Sequence, residues 1–169
     1  METLPDYLQP GLDIVLVGLN PSIPSARTGH YFANPRNRFW PAFNGAEMTP
    51  EPLTAETDYR VLEFGIGMTD IVKRPTPGVA ELKTADFHGG ALDLQDRLTT
   101  TAPRIVCFHG IMAATHYAKI ANVDRSKVAL GPQSWSIGIS KVFVVPNPSP
   151  ANASFSLNDL IDWYLKLKE

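Results

Sequence analysis

The chain has a single cysteine, Cys107, set in the apolar run Ile105-Val106-Cys107-Phe108. Neither a disulfide framework nor a thiolate-held zinc or iron–sulfur centre can therefore be assembled within it. It also lacks any apolar run of the roughly eighteen residues needed to cross a bilayer. The start Met1-Glu2-Thr3-Leu4-Pro5-Asp6 has none of the basic-then-apolar layout of a signal peptide. These absences set the expectation of a cytoplasmic protein without a membrane partner. His30, His88, His109 and His116 show no close pair at metal-ligand spacing, so no metal is expected. A phosphate loop of the Gly-x-x-x-x-Gly-Lys kind is missing too.

Acidic charge is missing locally. The net charge is −2, yet no Asp or Glu occurs between Ile14 and Ala46, a stretch carrying Arg27, Arg36, Arg38 and His30. Lys73-Arg74 adds a second basic pair. A positive face on a weakly acidic protein suits a polyanionic partner better than the net charge suggests.

What is present is an ordinary globular composition, with 44% hydrophobic residues over 169 positions and no internal repeat or linker. One domain spanning residues 1–169 is expected. The runs 13–18, 105–108 and 141–145 read as buried strands, and 65–72 as loop and short strand. Helical spacing marks 89–100, 111–121 and 158–168, with shorter candidates at 39–46 and 54–63. Leu19 to Ser25 is too rich in proline and small polar residues to read as a helix, and His88-Gly89-Gly90 reads as the start of one. Alternating strands and helices give an α/β fold: a three-layer αβα sandwich around a short, mainly parallel sheet of about four strands.

Two segments place Asn-Pro-Ser directly after an apolar strand: Asn20-Pro21-Ser22 and Asn147-Pro148-Ser149. Asparagine before proline is pushed to extended geometry, so both are strand-ending turns at sheet ends. With Thr28-Gly29, Phe32-Ala33-Asn34-Pro35-Arg36-Asn37-Arg38-Phe39-Trp40 and Thr69-Asp70-Ile71-Val72-Lys73-Arg74-Pro75-Thr76 between them, the chain resembles the mismatch-specific uracil and thymine DNA glycosylases of the uracil-DNA glycosylase superfamily. The resemblance covers nearly the whole length.

It implies hydrolysis of the N-glycosidic bond of uracil in double-stranded DNA, by base flipping and without a cofactor. Asn20 would hold the attacking water through its side-chain carbonyl, and Asp70 would activate that water or stabilise charge on the sugar. Phe32 matches the aromatic on which the extruded base stacks, with neighbouring Tyr31 in the same binding set. Backbone amides of Leu19 and Phe32 would meet the uracil carbonyls, and Asn147 joins them at the second turn. Ser22 stands where relatives have glycine, which crowds the pyrimidine 5-position and ranks uracil above thymine. The loop Ser149-Pro150-Ala151-Asn152 resembles the one that enters the minor groove. Relatives carry a longer apolar residue at the position of Ala151 and an arginine at that of Ala153, so reading of an opposite guanine is expected to be weaker. Arg27, Arg36, Arg38, Lys73 and Arg74 are candidates for phosphate contacts. A monomer is expected. The alternatives are a non-catalytic module for damaged DNA and a hydrolase of free nucleosides or nucleotides, which the fold class alone permits.

Overall fold

Five short strands line up in the computed structural model, which describes residues 2–169. They are β1 (Ile14–Gly18), β2 (Ile66–Asp70), β3 (Ile105–His109), β4 (Gly131–Ile137) and β5 (Ser140–Val145), in the spatial order β2-β1-β3-β5-β4. The first four of that order run parallel, and β4 pairs antiparallel with β5 at the edge. The strand beyond the expected four is β4. Its sequence Gly-Pro-Gln-Ser-Trp-Ser-Ile is mostly polar and half exposed, so it presents no buried apolar run, and Pro132 is tolerated on an edge.

Successive strand side chains point to opposite sheet faces and build two cores. Leu16, Met68, Cys107 and Val145 pack with Phe39 and Phe43 of α2 (Phe39–Gly45) and Leu160 of α5 (Leu157–Lys168). Val17, Val106, Phe108 and Val144 pack with Leu94 and Leu98 of α3 (Thr84–Thr101) and Ala113 and Tyr117 of α4 (Ile111–Ile120). The expected three-layer arrangement is the one observed.

Two local readings need correction. Leu19 to Ser25 does not stay a turn, because Ser22 caps a short helix α1 (Ile23–Thr28), its Oγ accepting the Ser25 N–H at 3.2 Å. Pro24 is harmless in that first turn, where an N–H has no intrahelical partner. His88-Gly89-Gly90 is not the start of a helix but lies inside α3, which begins at Thr84. Gly90 is there for close approach: a Cβ would run into the carbonyl oxygen of Ile71. Residues 55–64 form a 3₁₀ segment with a kink at Thr57.

β2 lies on one side of β1 and β3 on the other, which creates a switch point at the carboxyl end of β1. Open α/β sheets bind their ligands in such a crevice. Here the residues just beyond β1, β2, β3 and β5 all converge on it.

Candidate active site

An open cleft of about 820 Å³ occupies this crevice, lined among others by Leu19, Asn20, Asp70, His109 and Asn147. β1 delivers Asn20. Its amide nitrogen donates to the Arg74 carbonyl at 2.9 Å and to Thr76 Oγ1 at 2.9 Å. Thr76 passes its own proton to the Gly78 carbonyl at 2.7 Å, so the hydroxyl is oriented to accept. With both amide hydrogens engaged, the Asn20 side-chain oxygen has no partner among the described residues. That oxygen is an acceptor in fixed position, the property a water-holding group needs.

β2 delivers Asp70, only 5% exposed. One carboxyl oxygen, Oδ2, is buried with no hydrogen-bond partner among the described residues. Burial pushes the carboxyl up to about 7, an effect that the nearby Lys73 opposes. The cations are engaged elsewhere: Asp6 takes Lys73 Nζ at 2.7 Å and Arg97 at 2.6 Å, while Arg97 reaches only the Asp70 backbone carbonyl. Gly18 makes the space for this carboxylate, since a Cβ there would stand 2.5 Å from Asp70 Oδ1. A carboxyl titrating near neutrality and facing a cleft can exchange a proton with a bound water.

Phe32 forms the cleft's aromatic wall. Its ring stacks on Phe39 at 4.1 Å between centroids and 18° between planes. The backbone at Phe32 is left-handed, with φ 54°, a conformation an aromatic residue adopts only under constraint. The constraint is visible on either side of it. The Tyr31 N–H donates to Asp58 Oδ2 at 2.7 Å, Trp40 Nε1 donates to the Tyr31 carbonyl at 3.0 Å, and the Ala33 N–H donates to Ser25 Oγ at 3.1 Å. Asp58 is wholly buried and also accepts from the Tyr7 hydroxyl at 2.9 Å. The Phe32 N–H, between these, has no partner among the described residues. Tyr31 itself is buried and donates its hydroxyl to the Pro5 carbonyl at 2.7 Å, which makes it a support for the wall.

β5 delivers Asn147, whose side-chain oxygen accepts from the Ser149 N–H at 2.9 Å and whose amide hydrogens have no partner among the described residues. Asn152 turns inward and donates to the Asn147 carbonyl at 3.0 Å, so it holds the loop rather than reaching out. Pro150 and Ala151 stand exposed at the rim. Ser22 also lines the cleft, although its hydroxyl is occupied in capping α1.

The basic residues divide. Arg27 and Arg36 are exposed and their side chains have no partner among the described residues. Arg74 pairs with Asp86 at 2.8 Å and Lys73 with Asp6. Arg38 grips the second turn, donating to the carbonyls of Asn152 at 2.7 Å, Ser149 at 3.4 Å and Phe155. Its guanidinium is a clamp on the 149–155 loop, which accounts for its place in the sequence without a phosphate.

Sequence reasoning missed Thr76, Asp58 and His109. Thr76 was hidden in a breaker run, Asp58 on an irregular helix, and His109 carried no motif. Also unremarked were Ile111 and Met112, exposed apolar side chains at the cleft rim, at the start of α4. No group of three His, Cys, Asp or Glu side chains among the described residues is placed to hold a metal ion.

Residues 5–167 match the family described as the uracil DNA glycosylase superfamily. The chain belongs to that superfamily. Its fold is similar to a solution NMR structure of a candidate uracil DNA glycosylase from Methanosarcina acetivorans, with TM-score 0.65, 23% identity and coverage of 99% of this chain and 98% of that one. Such a likeness speaks for the fold alone.

Proposed function

We propose that the chain is a monofunctional uracil-DNA glycosylase of the mismatch-specific kind, hydrolysing the bond between uracil and deoxyribose in duplex DNA. The observation that carries this reading is the pairing, in one cleft, of a fixed free acceptor on Asn20 with an unpartnered buried carboxylate on Asp70. In the proposed reaction the uridine is extruded and its base stacks on Phe32. The C1′–N1 bond breaks with its electron pair leaving on the base. Water held by Asn20 adds to C1′, and Asp70 takes its proton. The unpaired Phe32 N–H and the Asn147 amide hydrogens offer donors to the anionic base, which removes the need for a general acid. The products are an abasic site and free uracil.

Lys73 Nζ sits on Asp6 at 2.7 Å, which supports hydrolysis by water rather than attack by an amine. Ser22 at the cleft supports uracil over thymine, and the short exposed Ala151 supports weak discrimination of the opposite base.

The test is alkaline strand scission after incubation with end-labelled duplexes carrying U opposite G, U opposite A or T opposite G, beside single-stranded U. Cleavage at U, with only a small preference for U opposite G over U opposite A, weak at T and lost in Asn20→Ala, is the expected result. Binding of the duplexes with no cleavage of any of them would overturn the enzyme reading in favour of a damage-binding module.

A further inference from the structure

Exposed apolar side chains gather at the cleft, and the hydrolysis proposed above uses none of them. Ile111 and Met112 open α4 and are 44% and 52% exposed, while Val79, in the segment after β2, is 41% exposed. All three line the cleft. Single exposed apolar residues are ordinary, but a group of them at the mouth of a site marks a surface that a partner covers. Core packing does not account for Ile111 and Met112, because α4 is anchored through Ala113, Ala114, Tyr117 and Ala118, all buried.

The position of the two side chains is fixed by what precedes them. One residue, Gly110, joins β3 to α4. Its N–H donates to the Val145 carbonyl at 2.7 Å, and its φ of 95° favours glycine. A Cβ there would stand 3.3 Å from Cβ of Asn147. Before that glycine, His109 is buried with its Nε2 2.8 Å from the Tyr164 hydroxyl. The tip of α4 is thereby held against the second Asn-Pro-Ser turn. The charge of the rim narrows the choice of partner. Among the described residues lining the cleft there is no lysine or arginine, and the one carboxylate is the buried Asp70. Such a rim suits the apolar faces of bases and sugars, with phosphates left to charged residues farther out. The 149–152 loop offers a base stack only the short side chains of Pro150 and Ala151. Ile111 and Met112, next to it, have the length it lacks, and methionine adapts its shape to what it meets.

We propose that Ile111 and Met112 form a second apolar wedge on duplex DNA, packing against the base step beside the extruded nucleotide and covering the part of the stack that the short 149–152 loop leaves open. This inference rests on the glycosylase reading of the cleft. Removing a nucleotide from the stack exposes the faces of its neighbours to water, and aliphatic side chains laid on those faces recover part of the cost. A single strand can turn its bases away and offers no such fixed step, so the pair contributes little there.

The experiment measures binding to DNA carrying 2′-fluoro-2′-deoxyuridine, whose glycosidic bond resists hydrolysis, as duplex and as single strand, with 2-aminopurine as the neighbouring base. The parent is compared with the double variant Ile111→Ala, Met112→Ala, with the conservative pair Ile111→Leu, Met112→Leu, and with Leu92→Ala, which removes an exposed apolar side chain of α3 outside the cleft. By fluorescence anisotropy the double alanine variant should bind the duplex about tenfold more weakly than the parent and the single strand equally well, which also shows that it is folded. Its duplex complex should show a smaller rise in 2-aminopurine fluorescence. The leucine pair and Leu92→Ala should match the parent throughout. Equal weakening on duplex and single strand overturns the proposal, as does a parent that binds no duplex. Unchanged duplex affinity, with a parent that self-associates in sedimentation and a double alanine variant that does not, overturns it in favour of a second copy of the chain as the partner. Duplex binding that depends on the pair in a protein that releases no uracil leaves the wedge standing and removes only the glycosylase reading. Uracil release by a parent whose double alanine variant binds the duplex as tightly does the reverse.

Discussion

Asn20 follows β1 and Asn147 follows β5, each succeeded by proline and serine, and the two amides face the same cleft in opposite senses. At the first turn the chain goes on into α1, and the residues after β2 come alongside to take both amide hydrogens, leaving an oxygen free. At the second turn no helix follows directly, the side chain folds back on the Ser149 N–H, and the hydrogens are left free. One strand end thus offers an acceptor and the other a donor. Hydrolysis of a glycosidic bond needs both: an acceptor for the water and a donor for the departing base. The lesson is that a motif states which atoms are available, while its neighbours determine which are used.

The largest expected effect comes from breaking the acceptor end. Asn20→Ala should lower kcat for uracil release by about 1,000-fold, within the range seen for loss of a group that positions or activates water. Asn20→Asp should do no better, because a carboxylate cannot donate to the Arg74 carbonyl. Single-turnover base release from U-containing duplex measures both. At the donor end, Asn147→Asp keeps the acceptor that holds the Ser149 N–H and removes only the amide hydrogens. A loss of about 100-fold is expected, with the loop intact. If Asn147→Asp were as damaging as Asn20→Ala, the division of labour between the two turns would fail. Thr76→Val removes one of the two supports of Asn20 and should cost about tenfold in kcat, with little change in KM, since geometry rather than binding is disturbed.

Two buried carboxylates sharpen the same contrast between satisfied and unsatisfied groups. Asp58 meets three donors and holds the Phe32 wall, whereas Asp70 meets none on Oδ2. The Asp70 carboxyl titrates near 7 in the fold, against about 3.9 in an unfolded chain. Between those two values the folded state keeps a proton that the unfolded state gives up, so stability falls as pH rises from about 4 to about 7 and then levels off. Asp70→Asn removes that penalty. Its melting temperature should exceed the parent's by several degrees at pH 8 and match it near pH 4. Activity runs the other way. Parent kcat should climb as pH passes through about 7, when the base becomes ionised, and Asp70→Asn should be slow and flat across that range. Equal melting shifts at both pH values would mean that Asp70 finds a partner in solution.

Much of this was legible in the sequence. The buried parallel strands announced themselves as apolar runs, and Asn20, Asp70, Phe32 and Asn147 do converge on one cleft. The half-polar edge strand β4 and the six-residue α1 escaped because neither carries a periodic apolar signal. Thr76, Asp58 and His109 escaped for a different reason. Their contributions exist only through partners 56, 27 and 55 positions away along the chain, at Asn20, Tyr31 and Tyr164. The same limit applies to charge. A count of arginines cannot separate those facing solvent from those that clamp a loop.

That separation carries the smallest prediction. Arg36 is exposed and its side chain has no partner among the described residues, while Arg38 grips three carbonyls of the second turn. If Arg36 meets a phosphate, Arg36→Ala weakens duplex binding evenly across sequences and lowers the slope of log K against log salt by about 1, leaving kcat unchanged. Arg38→Ala should leave that slope alone, because its charge is already shared among carbonyl oxygens. Its damage should instead show as faster amide hydrogen exchange over residues 149–155 and as lower kcat, through the loosened donor end. Fluorescence anisotropy with labelled duplex at several salt concentrations separates the two. An unaltered slope in Arg36→Ala with a reduced slope in Arg38→Ala would mean that the 149–155 loop opens on DNA and frees the clamp, so that the two turns differ in mobility as well as in polarity.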